Sequence, residues 1–329
     1  MKQESETVMK TKLSFVIPCY RSEKTIGTVV DGIRNTVKTR KDLYDYEIIL
    51  VSDHSPDNVF SVIEELVKND SNIMGIELAK NFGQHSAILA GFHHVTGDII
   101  VCLDDDGQTP PDQMFKLIDT LDDDCDVVFA RYRDKKHSAF RNFGSVINDV
   151  MARYMIDKPK ELKIMSYFAC KRYIADEVMR YNNPYPYMSG LLLRTTKNIK
   201  NVTIEHRDRL EGESGYKFGK LLALWVNGFT SFSIKPLRAA TFIGILSALS
   251  GFLYMVYIIV HKLINPSTPL GYSSMMAVFL FIGGMIMIML GIIGEYIGRI
   301  YISLNEAPQY VIRRKVSSPP CGDSREINK

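Results

Sequence analysis

Apolar runs alternate with amphipathic stretches along the first 130 or so residues. Short apolar runs at 13–17, 46–52, 73–78, 98–103 and 127–130 predict strands. Between them, residues 24–38, 59–68, 84–94 and a stretch starting near Asp112 predict helices. Strand–helix alternation of this kind predicts an α/β fold with a mostly parallel sheet. Ligands of such sheets bind outside the carboxyl ends of the strands. The residues just after each apolar run are therefore the ones to search for chemistry. No internal repeat is present.

The pattern changes after residue 216. Residues 239–260 and 273–294 are two runs without Asp, Glu, Lys or Arg. Each is longer than the ~20 residues needed to cross a ~30 Å hydrocarbon core. The short link 261–272 holds Pro266 and Pro269, so the pair predicts a helical hairpin of two membrane spans. Lys235 and Arg238 precede it, Arg299, Arg313, Arg314 and Lys315 follow it, and only Lys262 lies between. Basic flanks mark the cytoplasmic side, which places both termini there. The first ten residues are polar and no secretory signal is expected. Phe218, Leu221, Leu222, Trp225, Phe229 and Phe232 form one helical stripe, read as an amphipathic helix in the membrane interface. The expected organisation is a catalytic domain at 1–216, a juxtamembrane segment at 217–236, a hairpin at 237–298 and a cytosolic tail at 299–329. Gly294 and Gly298 form a G-x-x-x-G that permits close helix contact, within the hairpin or in a homo-oligomer. Glu295 and Arg299 are spaced to pair on one helix face.

Composition sharpens this picture. Forty Lys and Arg against 37 Asp and Glu leave a formal charge of +3 over 329 residues, too balanced for a nucleic-acid binder. The mean hydropathy of −0.03 averages a soluble part and a membrane part. Five cysteines without a C-x-x-C pair argue against a disulfide scaffold and a structural zinc site, and fit reduced thiols in a cytosolic compartment.

The strand ends carry the candidate chemistry. After the fourth comes Asp104-Asp105-Asp106-Gly107-Gln108-Thr109-Pro110-Pro111. Three adjacent carboxylates repel one another unless a cation neutralises them. Asp104 and Asp106 alternate, so in extended backbone they share a face that Gln108 continues. Oxygen ligands of this kind suit Mg²⁺ or Mn²⁺, ions that also hold substrate phosphates. After the second strand, Asp53 is placed to accept hydrogen bonds from a ribose or base, whereas Asp57 is read as a helix cap. Pro18, Tyr20 and Glu23 follow the first strand, with Tyr20 able to lie against a nucleobase. Lys80 and Gln84 follow the third, in Lys80-Asn81-Phe82-Gly83-Gln84-His85. The absence of a P-loop and of G-x-G-x-x-G argues against ATP hydrolysis and dinucleotide redox chemistry.

Together these strand ends resemble glycosyltransferase family 2, of the GT-A fold. Asp104 to Pro111 is similar to the D-x-D-x-Q-x-P-P of the dolichol-phosphate mannosyltransferase type. Arg209 to Tyr216 is similar to the family's R-x-x-G-x-S-x-Y segment. Residues 290–301 resemble the membrane signature of bacterial undecaprenyl-phosphate glycosyltransferases. The resemblance runs from about residue 12 to residue 312. It implies an inverting, metal-dependent transfer of one sugar from a nucleotide-diphosphate sugar, UDP-linked by the bacterial likeness, to a polyprenyl phosphate at the cytoplasmic face of the cell membrane. It further implies a catalytic group of Asp104, Asp105, Asp106 and Arg209. The metal, Mg²⁺ or Mn²⁺, falls to Asp104, Asp106 and Gln108. Pro18, Tyr20, Glu23, Asp53, Lys80, Gln84, Asp104 and Ser214 would hold the nucleotide sugar. Arg131, Lys135, Ser138 and Arg141 would receive the acceptor phosphate.

The chain departs from that family pattern in four places. Ser52 stands where an acid is usual, Ser166-Tyr167-Phe168 where many members have D-F-R, Gly107 where Leu is common, and Ala307-Pro308 where Arg-Pro is usual. Two other readings stand beside the leading one. A processive polysaccharide synthase usually carries Q-x-x-R-W, which the single tryptophan, Trp225 in Ala-Leu-Trp-Val, does not provide. A catalytically silent membrane partner would bind nucleotide sugar or lipid without turnover.

Overall fold

The computed structural model describes residues 10–132, 159, 161–184, 186–205, 235–265, 271–304 and 308–318. The chain divides into two units, Met1–Tyr216 with Pro308–Lys329, and Lys217–Ala307. The expected interfacial stripe at 218–232 lies outside the described residues.

The first unit is built on an eight-stranded sheet. Its elements in chain order are β1 (Thr11–Cys19), α1 (Ile26–Lys38), β2 (Tyr44–Ser52), α2 (Val59–Asn69), β3 (Ile73–Leu78), α3 (Gln84–Phe92), β4 (Ile99–Cys102), a 3-10 turn (Pro111–Gln113), α4 (Met114–Ile118) and β5 (Val127–Tyr132). Then follow β6 (Phe168–Lys171), α5 (Arg172–Met179), α6 (Met188–Thr195), β7 (Ile199–Ile204) and, after the second unit, β8 (Ile312–Ser317). The strand order is β7-β5-β6-β4-β1-β2-β3-β8. Strands β3, β2, β1 and β4 run parallel, as do β5 and β7, whereas β6 is antiparallel to both β4 and β5, and β8 to β3.

Burial explains why β1 and β2 read as nearly continuous apolar runs: both faces of the sheet are covered. Leu13, Phe15, Ile17, Ile48 and Leu50 pack with Ile26, Val29, Val30 and Ile33 of α1 and Ile63 of α2. The opposite face meets α3, whose Gly91 lies so close to Val16 and Val51 that a Cβ there would collide with Val16. Helix α3 therefore crosses over β1 and β2. That path brings its first turn to the carboxyl ends of the strands.

The strand order places a topological switch between β1 and β4. From β1 the chain proceeds outward through β2 and β3, and then returns to the other side of β1 as β4. In open α/β sheets the loops after two such strands border the crevice where ligands usually bind. Strand directions bring more of the chain to this end. Phe168 pairs with Cys102, so Ser166 and Tyr167 arrive beside the end of β4. β5 also finishes here, at Arg131 and Tyr132. β8 starts here, with Ile312 opposite Leu78.

The tail expected after residue 299 thus includes a sheet strand. Arg314 donates through Nε to Glu77 Oε2 at 2.8 Å, and its guanidinium lies 4.5 Å from the centre of the Phe60 ring. Gly75, opposite Val316, leaves room for β8: a Cβ there would meet Ile63 and, at 2.7 Å, Val316. Exposed Arg313 and Lys315 place charge along the outer strand, a common way of protecting a sheet edge from further pairing.

The second unit is a pair of long helices, α7 (Lys235–Ile264) and α8 (Tyr272–Leu304). Among the described residues one helix is long and apolar enough to cross a membrane, through Phe281–Gly298, while α7 carries a shorter apolar stretch, Ala240–Tyr254. The helices meet at small residues of α7. Ser247 donates to Met285 Sδ at 3.0 Å, and a Cβ on Gly244 would sit 3.1 Å from Met289. Among the described residues nothing lies within 4 Å of a Cβ placed on Gly294 or Gly298. The expected Glu295–Arg299 pair falls outside the described side chains.

Candidate active site

The crevice between β1 and β4 is closed at its base by loop-to-loop hydrogen bonds. Asp105 turns toward the β1 loop, where its Oδ2 accepts the Tyr20 N–H at 2.8 Å and its carbonyl accepts the Thr25 hydroxyl at 2.6 Å. Asp105 thereby links the two sides of the switch. Burial pushes its carboxyl above the ordinary range.

The β1 and β2 loops are cross-linked in the same way. The Glu23 N–H donates to Asp57 Oδ2 at 3.0 Å, and the Asn58 N–H donates back to Glu23 Oε2 at 3.1 Å. Ser55 takes the Arg21 N–H at 2.7 Å and donates its own hydroxyl to Asp57. The N-cap of α2 is Asn58, without a side-chain bond, while Asp57 Oδ1 accepts the N–H of Val59, the first residue of the helix, at 3.5 Å. Arg21 and His54 both have positive φ, 60° and 51°. Non-glycine residues reach that region at a cost of about 1–3 kcal/mol each and keep it only where surrounding contacts enforce it. Here the enforcing contacts are these cross-links, and both residues sit directly behind candidate ligand positions, Tyr20 and Asp53.

Asp53 reaches in the opposite direction. Its Oδ1 accepts the Phe82 N–H at 2.7 Å and its Oδ2 the Gly83 N–H at 2.8 Å. It is 4% exposed, and burial raises its pKa against those two bonds. Gly83, at φ 92°, makes the turn that aims both N–H groups at one carboxylate. Asp53 thus fixes the β3–α3 loop, and with it Lys80 and Gln84.

Gln84, the first residue of α3, donates Nε2 to Asp104 Oδ1 at 2.9 Å. Ser166 donates its hydroxyl to Asp104 Oδ2. Both oxygens of Asp104 are thereby held, by donors from the two sides of β4. Thr109, fully buried, bonds the Asp104 backbone in both directions at 3.2 Å. Burial, followed by the charges of Asp106 and then Asp105, pushes the Asp104 carboxyl up to about 6, against the Ser166 and Gln84 hydrogen bonds.

The strand ends at Cys102, so Asp104 and Asp106 do not share an extended face. Residues 104–107 form a turn instead, with Gly107 at φ 76° and the Gln108 N–H donated to Asp106 Oδ1 at 3.0 Å. The departure from Leu at Gly107 has its reason there: the turn requires positive φ. Gln108 joins this turn through its backbone N–H.

Among the described residues no three His, Cys, Asp or Glu side chains converge as a preformed metal cage. Asp104 and Asp106 still fit Mg²⁺ or Mn²⁺, ions usually bound by one or two carboxylates with substrate phosphates and water completing the shell. Burial is the main cause of the raised Asp104 pKa, and the charges of Asp106 and Asp105 that add to it are ones such an ion would neutralise.

Tyr20 stands at the rim, 44% exposed, with the Arg21 guanidinium 5.6 Å from its ring centre. Lys80 is exposed beside the Phe82 ring, Nζ to centroid 5.0 Å. Pro18 is buried in β1, past the last β1–β4 pair at Val16 and Cys102, where its missing N–H leaves that ladder intact. Arg131 is exposed at the end of β5. Arg209, Ser214, Lys135, Ser138 and Arg141 lie outside the described residues. Sequence reasoning missed the parts played by Ser166, Thr109 and Ser55. Each acts on a residue distant in sequence or on backbone, and none leaves a local pattern, although Ser166 was visible as a departure.

Comparison with known proteins agrees with this geometry. Residues 14–180 match the Glycosyl transferase family 2 profile, and residues 235–300 match the GtrB C-terminal hairpin. An uncharacterized glycosyltransferase of Bacillus subtilis, YkcC, is 32% identical over 92% of this chain and 93% of its own length. The undecaprenyl-phosphate 4-deoxy-4-formamido-L-arabinose transferase of Proteus mirabilis is 34% identical over 93% of this chain and 94% of its own. Its counterpart in Yersinia enterocolitica is 30% identical over 99% and 100%. The chain is a glycosyltransferase and belongs to glycosyltransferase family 2.

Proposed function

We propose that this enzyme transfers one sugar from a nucleotide-diphosphate sugar to undecaprenyl phosphate, with Mg²⁺ or Mn²⁺, at the cytoplasmic face of the cell membrane. The observation that carries the reading is the meeting of Tyr20, Asp53, Gln84 and the 104–106 carboxylates at the switch between β1 and β4. The acceptor comes from the relatives named above, and the hairpin match supports a lipid-bound substrate. In this reading α7 and α8 both span the bilayer. Residues 1–216 and the chain after the hairpin lie on the cytoplasmic side, and β8 returns to the catalytic unit at its active end.

The chemistry asks two things of the protein. A diphosphate must leave, and an acceptor phosphate must attack in line on the opposite face of the sugar. Asp104 and Asp106 would hold the cation, which when bound neutralises charge on the departing diphosphate. Tyr20 offers a face for the base, and Asp53, by fixing the β3 loop, sets the floor beneath the nucleoside. Arg131, with Lys135, Ser138 and Arg141, would receive the acceptor phosphate, and Arg209 and Ser214 would face the donor phosphates. Cations in such positions act by orientation and by stabilising negative charge. A phosphate monoester is largely ionised at neutral pH, so the acceptor needs no strong general base. That agrees with an Asp105 bound to the β1 loop.

The test is release of nucleoside diphosphate from a panel of nucleotide sugars by the detergent-solubilised full chain. The panel includes the UDP-linked form of the sugar named for the relatives. Release that requires both undecaprenyl phosphate and divalent cation, and stops with EDTA, is the expected result. Release that ignores the lipid, or continues in EDTA, contradicts the reading.

A further inference from the structure

Asp104 is unusual among the site carboxylates in having each oxygen held by a neutral side chain. Gln84 comes from the start of α3, which crosses the sheet above β1 and β2, and Ser166 comes from the segment entering β6, on the far side of β4. Neither donor is charged. The pair can therefore fix the carboxylate plane without cancelling the charge a cation needs. A Lys or Arg in either place would compete with the ion, and a carboxylate at 166 would add a repelling charge within hydrogen-bond reach of Asp104. Tyr167, the next residue, is fully buried and donates its hydroxyl to the Pro110 carbonyl at 3.2 Å. Ser166 is thus anchored to the same 104–111 turn it serves. Its position is set by packing, independently of any ligand.

We propose that Ser166 is a positioning residue for the transfer: with Gln84 it clamps Asp104 from the two sides of β4, so that its remaining lone pairs meet the metal–diphosphate in one orientation. The inference rests on the donor and metal reading above. Asp104 flanked by Asp105 and Asp106 would otherwise rotate to relieve repulsion. Preorganising a carboxylate through a neighbouring donor is a recognised way of tuning a site, and loss of such partners typically costs 10–100-fold in metal affinity or activity.

The test measures Mn²⁺ bound in the presence of UDP, by the electron paramagnetic resonance signal of free Mn²⁺, on the full chain in detergent. S166A is expected to weaken Mn²⁺ about tenfold and to raise KM for the donor more than it lowers kcat. S166T, which keeps the hydroxyl, is expected to recover most of the affinity. In a D104N background S166A should add no further loss, because the serine acts through that carboxylate. Wild-type affinity in S166A overturns the proposal. So does an equal loss in S166A and S166T accompanied by a lowered melting temperature, which assigns Ser166 to packing alone. Wild-type protein that binds neither Mn²⁺ nor UDP overturns the donor reading itself and the clamp with it, an outcome distinct from a failure confined to the variants.

Discussion

Asp53 shows how a single carboxylate can shape a site it does not dominate chemically. Its two oxygens accept two consecutive backbone N–H groups, of Phe82 and Gly83. Asp53→Asn places an amide N–H against one of these donors and leaves it unpaired in a buried position. The expected cost is about 1–3 kcal/mol, read as a lowered urea midpoint, together with weaker UDP binding as the β3 loop loosens. A variant as stable as wild type would show that the loop is held otherwise. His85 gives a pH prediction. Its Nδ1 is buried without a hydrogen-bond partner among the described residues, its ring meets Tyr187 edge-on at 5.1 Å, and burial lowers its pKa to about 4. Between about pH 6.5 and 4 the unfolded chain takes up a proton there that the folded chain refuses, so stability falls as pH falls through that window. His85→Phe keeps the ring contact and removes the proton. Melting temperature should therefore decline less steeply in H85F than in wild type over that range; parallel curves would refute the assignment.

At the scale of elements, β8 is the part of the sheet most open to test. Gly75→Val should force Ile63 and Val316 apart, cost about 1–3 kcal/mol, and free the C-terminal strand to limited proteolysis near residue 312. Unchanged proteolysis would mean the strand accommodates the methyl groups. This strand also marks where reading the pattern reached its limit. Strands β1 to β5 and helices α1 to α3 are legible because each is an apolar run or an amphipathic repeat, and β3 runs over Ile73–Leu78 as expected. Ile312–Ser317 carries three consecutive basic residues, the reverse of a strand signal. Its pairing is decided by Gly75 and Glu77, more than 230 positions away. β6 is four residues long, too short for an alternation to register. The site divides the same way. Its location follows from the strand ends, but the tasks of Asp105, Asp53 and Asp57 do not. Their partners are backbone N–H groups of other loops, which no local spacing reveals.

For the whole molecule, the proposed function joins a sugar-nucleotide site to a hairpin proposed to span the membrane. One chain carries both the family 2 match and the GtrB C-terminal hairpin match. In that proposal a lipid whose chain stays in the bilayer offers only its phosphate to the site, and tethering would turn the search for it into a lateral one. The most direct measurement is the mass of undecaprenyl phosphate after incubation with the purified full chain, Mn²⁺ and the donor that releases its nucleotide. The account predicts a lipid heavier by a single glycosyl unit, absent with Asp106→Ala protein that still melts as wild type does. Repeated additions to one lipid, or an unchanged lipid while Mn²⁺ and UDP still bind, would contradict single-sugar transfer to undecaprenyl phosphate.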